Sequence, residues 1–204
     1  MVEMIMRAAI RVLIRDGYER LTTNLVAEEA GASVGSLYQY FSSKQELVAA
    51  LLERHVEQTM GQIRKELPML SLLPVARAVP RFVKLMIESH RVEPELHRVF
   101  FEQLPRVGDY AQIETSLKEG LVMAEAYLRA HADELEPQNH TLSAFILVHT
   151  VESLTHAAVL SRPDWLATPK FVSEVSALVL GYLQPTAAAR PAQAQRNVSR
   201  AMNA

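Results

Sequence analysis

The sequence predicts an all-α protein of about nine helices. Three observations carry that prediction. Leu, Ala, Glu and Arg are abundant, while Gly and aromatic residues are few. Strand-like alternation of apolar and polar residues is missing, and apolar residues recur instead at helical spacing. Prolines punctuate the chain at intervals that suit helix starts and stops. At 204 residues the chain can bury one good-sized core or two modest ones.

The first helix is expected over Glu3 to Asp16, where Ile5, Ala9, Val12 and Leu13 form an i, i+4, i+7, i+8 stripe and Gly17 is a plausible stop. A second runs from about Thr23 to Ala30, capped by Thr22 or Thr23, and a third from Val34 to Tyr40 with Ser33 as its N-cap. Ser43, with Glu46 three residues later, forms a capping box that opens a long fourth helix, Lys44 to about Leu67, stopped by Pro68. Pro74 suits the first turn of a fifth helix reaching Arg91, with a kink or late start at Pro80. A short sixth lies between Pro94 and Pro105, and a seventh spans Tyr110 to Glu134. The eighth covers His140 to Ser161 and the ninth Lys170 to Leu183, with Trp165 in a loop between Pro163 and Pro169. Residues 185–204 are polar and lack an apolar face, and are expected to be a disordered tail.

Composition narrows the function. Basic and acidic residues nearly balance, 21 against 23, so the whole chain advertises no affinity for nucleic acid. There is no Cys, which excludes disulfides, thiolate catalysis and Cys-ligated zinc and fits a reducing cytoplasm. Glu3, Arg7, Arg11 and Arg15 interrupt the N-terminus and break any secretory apolar region. No apolar run approaches the ~18 residues of a membrane helix, so no membrane partner is expected.

The stretch LTTNLVAEEAGASVGSLYQYFSSKQEL, Leu21 to Leu47, is the most informative. Ala27, Gly31 and Leu37 stand at offsets of four and ten residues. A helix-turn-helix needs a small residue where its helices touch, a residue tolerant of positive φ at its turn, and an apolar residue on the inner face of the second helix. These three supply them. The outer side of that second helix then carries Val34, Gly35, Ser36, Tyr38, Gln39 and Tyr40, a candidate for the DNA major groove.

The pattern TT..VA..AG.S.GSLYQYF.SK.EL, over about residues 5 to 55, resembles the N-terminal domain of the tetracycline-repressor (TetR) family of bacterial transcription regulators. The resemblance implies a DNA-binding domain over residues 1–46 and a helical ligand-binding and dimerisation domain over 47–184. It implies that Thr22 and Thr23 meet a phosphate, that Asn24 can face a base edge, and that Val34, Gly35 and Ser36 lie deepest in the groove. Tyr38 would reach a phosphate, Gln39 and Tyr40 would flank the same surface, and Lys44 would pair with a phosphate at the start of the fourth helix. Gln39 is the one bidentate-capable side chain on the recognition helix, so specificity leans on shape and van der Waals contact. Residues 1–55 hold six basic side chains (Arg7, Arg11, Arg15, Arg20, Lys44, Arg54) against seven acidic ones, which is no basic patch.

For the second half the resemblance implies a small-molecule effector cavity among the fourth to eighth helices and a homodimer through the eighth and ninth. Candidate lining residues are Met60, Phe82, Met86, His90, Phe100, Phe101, Leu104, Met123, Tyr127, Phe145 and His149. Their mix suggests an apolar or aromatic ligand touched by a few polar groups. The last two helices are apolar on most of their circumference and must bury more than one face, one in the monomer and one in a partner chain. No cofactor is expected. The rival is a helical metalloenzyme on His149, Glu152 and His156, at i, i+3, i+7 spacing; His90 and His97 also straddle a helix break. A further alternative is a DNA-binding regulator without a small-molecule sensor. No nucleophile elbow, phosphate loop or HExxH accompanies the histidines, and no metal site and no enzyme activity are expected.

Overall fold

The computed structural model describes residues 1–91, 95–100 and 111–184. Among the described residues the regular elements are all helices: α1 (Val2–Arg20), α2 (Thr23–Ala30), α3 (Val34–Tyr38), α4 (Lys44–Leu70), α5 (Val75–Arg91), α6 (residues 95–100), α7 (Ala111–Ala130), α8 (His140–Ser161) and α9 (Pro169–Leu183). Short 3₁₀ turns, Ala132–Glu134 and Pro163–Ala167, precede α8 and α9. The tail at 185–204, Phe101 and Leu104 lie outside the described residues, as does the rest of the short helix expected up to Pro105.

Local chemistry accounts for most boundaries. Gly17 breaks α1 with φ 76°, and one further turn then carries the chain to Leu21. Thr22 caps α2 by accepting the Leu25 N–H at 3.2 Å. Gly31 ends α2 at φ 64°, ψ 30°, and the N–H groups of Gly31 and Ala32 close onto the carbonyls of Glu28 and Ala27 at 3.0 and 2.9 Å. That left-handed cap makes the sharp turn of the helix-turn-helix. Ser33 caps α3 through the Ser36 N–H at 3.0 Å.

Four departures have physical reasons. α3 stops at Tyr38 rather than Tyr40, because the N–H groups of Tyr40 and Phe41 both turn back to the Leu37 carbonyl at 3.0 Å and Phe41 is drawn into the core. The capping box of α4 is displaced: Ser43 accepts the Glu46 N–H at 3.1 Å, but the Glu46 carboxylate reaches Ser42, accepting from its N–H and its hydroxyl, each at 2.6 Å. α4 runs past Pro68 to Leu70, since a proline in the last turn loses only one backbone bond, and Ser71 Oγ caps the Pro68 carbonyl at 3.0 Å. Trp165 sits in a 3₁₀ turn rather than an irregular loop.

Two apolar cores form. The first gathers Ile5, Ala9, Val12 and Leu13 of α1, Val26 and Ala27 of α2, Leu37 of α3, Phe41, and Leu47, Val48, Leu51 and Leu52 of α4. It also takes Leu96, Val99 and Phe100 from α6, far away in sequence. The second joins α5, α7, α8 and α9 through Val79, Val83, Ile87, Leu128, Leu147, Val151, Val175 and Val179, among others. Among the described residues α8 is the one helix long and apolar enough, by length and composition, to cross a membrane, although His, Ser, Thr and Glu residues interrupt its apolar run. Its Ala144, Leu147, Val151, Ala158 and Val159 are buried in the second core.

Gly31→Ala is expected to lose about 1–2 kcal/mol of unfolding free energy by placing a Cβ in the left-handed region. Leu37→Ala, at a fully buried position, is expected to lose about 2–5 kcal/mol. Urea titration followed by circular dichroism reads both, and a neutral result at Gly31 would contradict the cap described above.

Candidate nucleic-acid interface and ligand cavity

The helix-turn-helix exposes one continuous face. Thr22 and Asn24 are exposed at the start of α2, and Thr23 is half-buried. Val34, Gly35, Tyr38, Gln39 and Tyr40 are exposed, with Ser36 half-buried. The Tyr38 hydroxyl lies 3.1 Å from Thr23 Oγ1, which joins the start of α2 to the recognition helix. A Cβ built on Gly35 meets only Ser33 Oγ, at 3.9 Å, so the backbone there is open to close approach. Gln39 and Tyr40 reach this face from the turn after α3, not from the helix itself.

The cations of this half are mostly engaged. Arg11 and Arg15 both pair with Glu29, at 2.7 and 3.0 Å, tying α1 to α2. Arg7 and Arg54 converge on Glu3, whose carboxyl they hold down at about 2. Arg20 donates to the Asp16 carbonyl at 3.0 Å. Lys44 donates from Nζ to the Tyr18 carbonyl at 3.2 Å and stands 4.5 Å above the Tyr18 ring centroid, locking α4 onto the end of α1. The face therefore offers hydroxyls, helix N-termini and small residues rather than a field of uncompensated charge.

Behind it lies a cavity of about 450 Å³, within the range of small-molecule sites. α4 lines it with Leu52, His55, Val56, Thr59, Met60 and Ile63, and α5 with Ala78, Val79, Phe82, Met86 and His90. α6 adds His97 and Phe100, α7 adds Gly120, Met123, Ala124 and Tyr127, and α8 adds Leu147, Val148, Glu152 and His156. Tyr127 donates its hydroxyl to the Leu73 carbonyl at 2.9 Å.

Among the expected lining residues, Met60, Phe82, Met86, His90, Phe100, Met123 and Tyr127 surround this cavity. Phe145 and His149 do not. Phe145 is 53% exposed, and its ring centroid stands 4.3 Å from that of His149, away from the cavity. α8 is apolar all round, so its periodicity could not say which side turns inward. His55 lines the cavity as well, outside the expected set. It shares the stripe Leu52, His55, Val56, Thr59, Met60, Ile63 on α4, at i, i+3, i+4, i+7, i+8, i+11, and that stripe was the available signal.

The trio His149, Glu152 and His156 does not converge on one point. Among the described residues the set that could hold a metal ion is His90, His97 and His156. His55 Nε2 lies 2.7 Å from His97 Nδ1, and His90 Nε2 lies 3.1 Å from His156 Nε2. His90 Nδ1 is 2.7 Å from the Met86 carbonyl. Burial, reinforced by the neighbouring imidazoles, pushes His55 and His156 down to about 4 and His97 to about 2, so the cluster is neutral at pH 7. Burial also raises the Glu152 carboxyl above its ordinary value, against the opposing influence of His149.

Together these features give a helix-turn-helix unit with an exposed second helix, joined to a helical part that encloses a cavity. Residues 74–183 match the model of the tetracyclin repressor-like C-terminal domain, and residues 5–51 match that of bacterial regulatory proteins of the tetR family. The chain belongs to the TetR family. It is 39% identical over 70 residues to the uncharacterized HTH-type transcriptional regulator YvkB of Bacillus subtilis, a match covering 31% of this chain and 37% of that protein. Its fold resembles the fatty acid degradation regulator FadR of Bacillus halodurans, with a TM-score of 0.72 at 19% identity over 88% of this chain and 94% of that one. It resembles equally FadR from Bacillus subtilis in complex with stearoyl-CoA, with a TM-score of 0.71 at 16% identity over 88% and 97%.

Because the folded state favours protonated Glu152, its ionisation works against folding as pH rises. Glu152→Gln is therefore expected to raise the melting temperature at pH 7. The advantage over the parent chain should shrink as pH falls toward the ordinary carboxylate range, where the unfolded chain begins to take up the proton as well. Paired melts from pH 7 to pH 4.5 measure this, and a variant less stable than the parent at pH 7 would contradict the burial account.

Proposed function

We propose that this protein is a homodimeric transcriptional repressor, released from a palindromic operator when a small apolar or aromatic ligand enters the cavity. The observation that carries the reading is α4. Its first two turns pack in the helix-turn-helix core, and its later turns wall the cavity. A ligand that reshapes the cavity can thus tilt the DNA-binding unit, and differential affinity of about 1–3 kcal/mol between two arrangements is the usual coupling.

In this reading Val34, Gly35 and Ser36 enter the major groove, with Asn24 and Gln39 at base edges. Thr22, Thr23, Tyr38 and Tyr40 position the backbone, as does Lys44. Dimerisation sets the two recognition helices about one helical turn apart, near 34 Å. Outward apolar residues of α8 and α9 support a partner chain there: Leu142 and Phe145 are 51% and 53% exposed and Leu178 is 56% exposed. The cavity is largely apolar and its fold neighbour from Bacillus subtilis holds stearoyl-CoA, which favours a ligand with a long or aromatic apolar body. The same cavity argues against a regulator with no small-molecule sensor. The reading places the protein among cytoplasmic regulators without enzyme activity.

Selection of bound duplexes from a random pool, followed by a salt titration, tests the reading directly. A palindrome with half-sites about one turn apart is the expected result, and failure to enrich any sequence at low salt would refute it. On the selected site, Gly35→Leu is expected to weaken binding by about 10- to 100-fold without lowering the melting temperature, because the space at its Cβ is open and Leu favours the helix more than Gly does. Phe145→Glu combined with Leu178→Glu is expected to give a folded monomer in analytical ultracentrifugation, since charge at a two-fold apolar interface is repeated in both chains.

A further inference from the structure

We infer that His90, His97 and His156 form a binding site for a zinc-class divalent cation in the wall of the cavity. They come from α5, α6 and α8, and one ring nitrogen of each lies within 4.8 Å of the other two. Tetrahedral zinc with Zn–N bonds of about 2.0–2.1 Å holds its ligand nitrogens about 3.3 Å apart. His90 Nε2 and His156 Nε2 are already 3.1 Å apart, so one edge of the polyhedron is in place. Side-chain rotation of His97 closes the rest.

The hydrogen bonds prepare the coordinating nitrogens of His90 and His97, while His156 Nε2, which donates to His90 Nε2 in the hydrogen-bonded cluster, moves its proton to Nδ1 to coordinate. A carbonyl can only accept, so His90 Nδ1 carries the proton it gives to Met86, and the lone pair is left on Nε2. His97 Nδ1 is engaged by His55 Nε2 at 2.7 Å, which leaves His97 Nε2 as its coordinating atom. A ligating imidazole whose other nitrogen is held by a carbonyl or a neighbouring side chain is the usual arrangement around a bound metal. Burial keeps the rings in the neutral form that coordinates. An all-imidazole set suits zinc, cobalt, nickel or copper and disfavours magnesium and calcium, which take oxygen. Three protein ligands leave a fourth position, and since all three histidines line the cavity that position opens into it.

The site also lies on a connection between the two halves of the molecule. Leu96, Val99 and Phe100, flanking His97 on α6, pack in the helix-turn-helix core. Drawing His97 toward α5 and α8 pulls on that core directly.

The test uses the full-length, tag-free, metal-stripped protein, titrated with Zn²⁺ and with Co²⁺ at neutral pH, without DNA or effector. Binding of one ion per chain is expected, with the visible absorption of four-coordinate Co²⁺. His97→Ala and His156→Ala should each weaken binding by about 100-fold or more, and His55→Gln, which removes a supporting partner, by about 10-fold. His149→Ala should bind as the parent does. Zinc should also shift the imidazole NMR signals of His90, His97 and His156 in the unaltered chain and leave those of His131, His140 and His149 in place, a readout that does not depend on any variant folding. Absence of stoichiometric binding, or binding indifferent to His97 and His156, overturns the inference and leaves the repressor reading untouched.

Discussion

One helix shared by the helix-turn-helix core and the cavity wall is the constraint on which the rest of this molecule depends. Leu47, Val48, Leu51 and Leu52 of α4 are needed to close the small helix-turn-helix core, while Met60 and Ile63 are buried further along the same rod. A continuous helix transmits rotation and translation because its backbone hydrogen bonds resist bending. In the proposed mechanism, movement at the cavity end reaches the packing of α1, α2 and α3 along this helix. The N-terminal anchoring of α4 is correspondingly heavy: the Ser43 cap, the Glu46–Ser42 pair of hydrogen bonds and Lys44 on Tyr18 all act within its first turn.

α6 supplies a second link, shorter and chemically different. Its apolar side seals the helix-turn-helix core, and its His97 stands among three other imidazoles at the cavity. Four neutral histidines satisfy much of one another's hydrogen-bonding capacity, so the polar corner survives in a cavity whose other walls are mainly Leu, Met, Phe and Val. An apolar body with one coordinating or hydrogen-bonding end matches both parts of that lining. The Arg64–Glu119 and Arg81–Glu66 pairs, at 2.7 and 2.6 Å, join the outer sides of α4, α7 and α5, but exposed pairs of this kind contribute little to stability.

The proposed DNA-binding face is built on shape more than charge. Its arginines are drawn into pairs with Glu3 and Glu29, which shape α1 and α2 rather than project toward a duplex. Helix N-termini, hydroxyls and an open backbone at Gly35 remain to make the contacts. In the proposed dimer two such faces would add their contacts, and the outward apolar residues of α8 and α9 would supply the surface between the chains.

The sequence by itself determined what local chemistry controls. Apolar periodicity, the caps at Ser33 and Ser43, a threonine cap at Thr22 or Thr23 and the glycines at 17 and 31 placed most helices and the helix-turn-helix, because each depends on residues within one or two turns, whereas Pro68 marked the end of α4 only to within a turn. The family resemblance was likewise legible in a short segment whose residues are all close in sequence. Tertiary structure alone decided the rest. Which side of α8 faces the cavity was undetermined in the sequence, since an all-round apolar helix carries no directional signal, and so Phe145 and His149 lie outside while Glu152 and His156 lie within. The convergence of His55, His90, His97 and His156 joins positions up to 101 residues apart, on four helices, and no spacing rule reaches across such distances. The capture of α6 by the N-terminal core has the same cause: long-range packing is set by which apolar surfaces remain uncovered once every helix has formed.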